Sequence, residues 1–152
     1  MQAKVFRLHS LFVVTSLVLL SIPVLSQRIA TTRNPKIDSS INPKINSSIN
    51  PKINSSINPK INSSINPKIS VNIDGKYYFN VDGDFMAILV PAGDGIFLRF
   101  DTDMEWTGYA VPNGEGLTLF NLDGDWVGYF VGNSAGEYNL FDLDGEWLGF
   151  TT

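Results

Sequence analysis

From Tyr77 to the C terminus, apolar and polar residues alternate in short runs, and the runs are broken by near-copies of one tetrapeptide at 80–83, 101–104, 121–124 and 142–145. The tetrapeptide reads Asx-x-Asp-Gly, except that Met104 stands where the glycine belongs in the second copy. Alternation of period two, bounded by a turn that caps with Asn or Asp and needs a left-handed residue, predicts hairpins. The aromatics before each turn, Phe79, Phe100, Phe120 and Phe141, recur at 20 to 21 residues. So do those after it, Phe85, Trp106, Trp126 and Trp147. A fixed period of this size marks one supersecondary unit repeated. The predicted fold class is all-β, an antiparallel meander of four hairpin repeats over 69–152. It would form either a hairpin solenoid or a small closed barrel.

The turn also sets the register. Each Asx should face the acid after the turn, which puts Phe79 opposite Phe85, Phe100 opposite Trp106, Phe120 opposite Trp126, and Phe141 opposite Trp147. Counting on by twos places Ala87, Gly108, Gly128 and Gly149 on the same aromatic face. The other face is then aliphatic, with Ile88, Val90, Leu117, Leu119, Val127, Val131, Leu140 and Leu148 beside Tyr109 and Tyr129. It is the expected core.

Upstream, residues 27–68 carry a second repeat of period eight, INPKINSS, with proline at 35, 43, 51, 59 and 67 and isoleucine every four residues. Proline at that frequency forbids a continuous helix. A low-complexity run of Pro, Asn, Lys and Ser is expected to be a disordered tether. Asn46, Asn54 and Asn62 each stand in an N-S-S acceptor for glycosylation in a eukaryotic host. Residues 1–26 read as a secretory signal: Lys4 and Arg7 precede an apolar run from Leu11 to Leu25, and Val24-Leu25-Ser26 suits cleavage. The run is shorter than a spanning helix needs. The chain is expected to be secreted, extracellular or periplasmic, associated with a surface, and without a transmembrane segment once mature.

Composition narrows the chemistry. There is no cysteine, and the single histidine, His9, lies in the signal. A mature chain lacking both cannot run a Ser-His-Asp or Cys-His mechanism or build a usual zinc site. From Asp74 onward fourteen acids face Lys76 and Arg99, a net of −12, whereas residues 27–73 carry a net of +6. Nucleic acid is therefore not an expected partner of the repeat domain.

Two sets of residues carry candidate chemistry. The aromatics Phe79, Phe85, Phe100, Trp106, Phe120, Trp126, Phe141 and Trp147 could form a platform for sugar rings, with neighbouring acids accepting hydroxyl hydrogens. The clusters Asp101, Asp103, Glu105 and Asp142, Asp144, Glu146 place carboxylates at alternate positions around a turn, the arrangement from which a weak calcium site could be built; no other cofactor is expected. Glycoside hydrolysis would need two carboxyl groups set apart across a cleft. Acids that recur alike in every repeat argue against catalysis, so the chain is not expected to be an enzyme.

The segment DGKYYFNVDGDFM resembles the repeats of choline-binding and glucan-binding modules of bacterial surfaces, and FDLDGEW is similar to the YD repeat of Rhs-type secreted proteins. The first resemblance implies a non-catalytic module recognising polysaccharide or cell-surface glycan through an aromatic face. The alternative is a structural, self-associating repeat protein of the cell surface or matrix.

Overall fold

A computed structural model describes residues 34–133 and 135–152. The expected signal, 1–26, and the first residues of the expected tether, 27–33, lie outside the described residues. Eight strands follow in order: β1 (Lys76–Asn80), β2 (Phe85–Gly93), β3 (Ile96–Asp101), β4 (Trp106–Pro112), β5 (Gly116–Asn121), β6 (Trp126–Gly132), β7 (Tyr138–Phe141) and β8 (Trp147–Thr151). Each pairs antiparallel with its neighbour in sequence, and β1 pairs with β8, so the meander closes into a barrel rather than a solenoid. Closure leaves no sheet edge open to another chain. At the closing seam Gly149 lies against Phe79, where a Cβ would sit 2.0 Å from the Phe79 carbonyl oxygen. No other residue fits there without moving the strands apart.

The turns form as their residues dictate. Asn80 Oδ1 accepts the backbone N–H groups of Asp82 and Asp84 at 3.0 and 2.8 Å, and Gly83 takes φ 86°. Met104 holds the same conformation at φ 59°, with its N–H donating to Asp101 O at 3.0 Å. Such a backbone costs a non-glycine residue on the order of 1 kcal/mol. The Met104 side chain packs against a buried hydrophobic cluster that includes Phe100 and Phe120.

All four expected aromatic pairs are present in register. Immediately beyond each pair the ladder slips by one residue, leaving Met86, Thr107, Val127 and Leu148 as single-residue bulges. An extra residue reverses which face the rest of the strand presents. The expected division into an aromatic and an aliphatic face therefore fails past the bulge. Tyr78, Ala87, Leu89, Ala110, Leu117, Leu119, Phe130 and Leu140 fill the barrel with Phe97 and Tyr138. Ring contacts such as Tyr78 with Phe130 and Phe97 with Tyr138 join strands that are not neighbours. Ile88, Val90, Leu98, Phe100, Tyr109, Val111 and Phe120 form a second cluster on the outside.

That outer cluster is buried by the octapeptide segment. Residues 34–68, the described part of the expected tether, form a regular coil lying on the barrel. Each octapeptide is two tetrads of the form Asn-x-x-Ile. In N-P-K-I, Asn42 Oδ1 accepts the Lys44 N–H at 3.0 Å, and the Ile45 and Asn46 N–H groups donate to Asn42 O at 3.0 and 2.8 Å. Proline occupies the second position of this turn, where its fixed φ is favourable and its missing N–H is not needed. In N-S-S-I, Asn46 Oδ1 accepts the N–H and Oγ–H of Ser48 at 3.1 and 2.7 Å, capping the 3₁₀ turn Ser47–Ile49. The Asn amides then join one turn to the last: Nδ2 of Asn42, Asn50 and Asn66 donates to Pro35, Pro43 and Pro59 O, and Nδ2 of Asn46, Asn54 and Asn62 donates to Ser40, Ser48 and Ser56 O. A segment with no sheet partner thus satisfies its backbone through side-chain amides.

Candidate functional site

The bulges put one aromatic group per repeat on the outside of the barrel. Across each junction between repeats, the return strand of one hairpin brings a further side chain against the anchor of the next. Tyr109 stacks on Phe120 at 5.6 Å, Tyr129 on Phe141 at 5.6 Å, and Phe150 on Phe79 at 5.8 Å between ring centroids. Ile88 takes the same place against Phe100. The result is a belt of four triads: Phe150–Phe79–Phe85, Ile88–Phe100–Trp106, Tyr109–Phe120–Trp126 and Tyr129–Phe141–Trp147. Each tryptophan folds back so that its Nε1–H donates to the carbonyl of the glycine two residues on, at 2.9, 2.9 and 2.8 Å. The indoles are fixed by these bonds. What they leave for a partner is the flat of the ring.

The coil covers half the belt. Ile41, with 6% of its surface exposed, together with Ile49, Ile65 and Ile73, packs over the second and third triads, and Phe100, Tyr109 and Phe120 are sealed beneath. The Tyr109 hydroxyl is buried there without a hydrogen-bond partner, and burial raises its pKa well above the usual phenol range. Of the eight aromatics expected to bind a ligand, Phe100, Trp106, Phe120 and Trp126 are therefore under or beside the chain's own coil. Phe79, Phe85, Phe141 and Trp147 lie outside the cluster that the coil buries: the three phenylalanines are half-buried, Tyr129 of the fourth triad is buried, and Trp147 is the exposed member. Trp147 is 51% exposed, as is Tyr77 beside Phe85.

Charge follows the same division. Lys44 Nζ reaches Asp125 Oδ1 at 2.6 Å, Lys52 reaches Asp123 at 3.3 Å, and Lys68 pairs with Glu105, so the coil is tied to the second and third turns. The hydrogen bond from Lys44 holds the Asp125 carboxyl below the ordinary carboxylate value, helped by a second bond from Asn121. Among the described residues no lysine or arginine pairs with the acids of the first and fourth turns.

The expected calcium clusters do not assemble. Asp101 Oδ1 is turned onto the N–H groups of Asp103 and Glu105 at 3.0 and 2.9 Å, and Asp142 Oδ1 onto those of Asp144 and Glu146 at 2.9 and 2.8 Å. The first carboxylate of each cluster thus caps its own turn, while Asp103, Glu105, Asp144 and Glu146 are exposed. Among the described residues, no three Asp, Glu, His or Cys side chains are grouped as a cation requires.

A hollow of about 530 Å³ opens at the barrel end opposite the Asx turns, lined by Phe97, Leu117, Tyr138, Glu115 and Glu137 among several glycines. Sequence reading missed it. Its signal was the glycine-rich connections at 93–95, 114–116 and 132–136, which keep that end free of large side chains. Among the described residues no helix is long and apolar enough to cross a membrane. No protein-family model, no curated protein and no solved structure matches this chain.

Proposed function

We propose that this is an exported, non-catalytic binding module that recognises glycan through the open half of its aromatic belt. The observation that carries the reading is Trp147: half exposed, held in orientation by its bond to Gly149 O, and standing beside Phe141 next to the acids of the fourth turn, which pair with no lysine or arginine among the described residues. A fixed ring face with carboxylates beside it offers a sugar both an apolar surface and hydroxyl acceptors, the combination of apolar walls and a few placed polar groups that marks small-molecule sites. The test is retention on insoluble polysaccharides, read for the wild type and Trp147→Ala. Retention should fall at least about tenfold in the variant, equivalent to ~1.4 kcal/mol, with melting unchanged. Equal retention by both proteins, or none by the wild type across the polysaccharides tried, would overturn the reading.

A further inference from the structure

The coil has two isoleucine rows and uses only one on its own barrel. The inner row, from Ile41 to Ile73, covers the second and third triads. The outer row, Ile37, Ile45, Ile53, Ile61 and Ile69, stands 64–68% exposed at one residue per octapeptide. The two rows are built alike, since every isoleucine from Ile37 to Ile69 ends a tetrad opened by Asn or, once, Asp38. Five large aliphatic side chains in one exposed row mark an interaction surface rather than scattered surface apolarity.

We propose that the outer row of one copy seats on the first and fourth triads of another. The intrachain contact shows the fit. There an isoleucine row lies across two triads while Lys44, Lys52 and Lys68, each one residue past a proline, reach the acids of the adjacent turns. The same parts are left over elsewhere. Phe79, Phe85, Phe141 and Trp147 lie outside the cluster the coil buries, and among the described residues the acids of the first and fourth turns pair with no lysine or arginine and Lys36 and Lys60 make no ion pair. Lysine sits between an inner proline and an outer isoleucine, at the border of both faces, so it can serve either. Row and belt are different patches of the molecule, so the contact is heterologous and propagates head to tail unless the rotation closes a ring.

Sedimentation velocity of the full mature chain across a concentration series tests this, with two sets of substitutions at exposed positions. Ile45→Ser, Ile53→Ser and Ile61→Ser remove the outer row, and Tyr77→Ser with Trp147→Ser blunt the belt. The single change Ile53→Lys replaces the row set if that set lowers the melting temperature. The wild type should grow in mass with concentration, each set alone should stay monomeric, and an equal mixture of the two should pair once and grow no further. That last result is expected because each supplies the surface the other lacks. A wild type that stays monomeric, association that survives the belt set (which would point to coil against coil), or a mixture that fails to pair would overturn the proposal. Retention of the row set on polysaccharide reads the glycan function separately, since its belt is intact.

Discussion

Lys44 Nζ donates to Asp125 Oδ1 at 2.6 Å, joining residues 81 apart in the chain. This pair, with Lys52–Asp123 and Lys68–Glu105, fastens the coil to the turns of the hairpins it covers. All three are exposed, so salt screens them readily. Asp125 has its carboxyl pKa depressed in the folded chain, so its contribution is present above the unfolded carboxylate value and is lost as pH falls through the folded one. Below the usual Asp range, or in high salt near neutral pH, amide exchange across the tetrads should quicken before exchange in the barrel strands does. Exchange that quickens equally in coil and barrel would show that the ion pairs do not act on the coil separately.

Asn54 should be worth more than its exposed setting suggests. Its Oδ1 accepts from the N–H and Oγ–H of Ser56, and its Nδ2 donates to Ser48 O at 2.7 Å. Asn54→Ala removes a cap and a bridge together and should destabilise by about 1 to 2 kcal/mol, the range for lost capping residues. Its neighbour Ser55 offers the control: only its backbone carbonyl is used, by Asn58, so Ser55→Ala should fall within about 0.5 kcal/mol of wild type. Denaturant melts followed by far-ultraviolet circular dichroism separate the two.

Arg99 is the odd member of a ring inside the barrel. The residue two before each Asx turns inward, and in the other repeats it is Tyr78, Leu119 or Leu140. Arg99 Nε is buried without a partner, and its guanidinium lies 6.0 Å from the Tyr78 ring centroid. An unsatisfied buried donor costs about 1–3 kcal/mol, more than a partly exposed cation–π contact returns. Arg99→Leu should raise the melting temperature. A lower one would mean that the arginine is stabilised by its surroundings in the barrel.

Much of the hairpin unit was legible. The four turns and the aromatic pairs flanking them follow from local rules of turn chemistry, and even the glycine-less turn at Met104 obeys them. The face of each strand was not. Ile88 and Leu119 look equivalent when counted by twos, yet Met86 bulges between Phe85 and Ile88 while Leu119 directly precedes its anchor Phe120, so one side chain points out and the other in. A bulge carries no composition of its own, since residues as different as Met, Thr, Val and Leu occupy it. The coil was illegible for another reason. Its order resides in amides that bond across six or seven residues, a pairing that neither helical nor strand periodicity encodes. The open half of the candidate site was hidden with it, because equivalent aromatics became unequal only once the coil was laid over two triads.

The coil also behaves as a cover of adjustable length. Its lysines meet the second turn at Lys68 and the third at Lys52 and Lys44, so toward its N-terminal end it advances around the barrel in the direction of the fourth. Every amide bridge reaches six or seven residues back into the preceding octapeptide, and inserting or deleting a whole repeat restores all of them, whereas any other length change breaks the chain of bridges. The area of aromatic surface left uncovered is therefore set in discrete steps by the number of tandem copies, without altering a residue of the barrel that displays it.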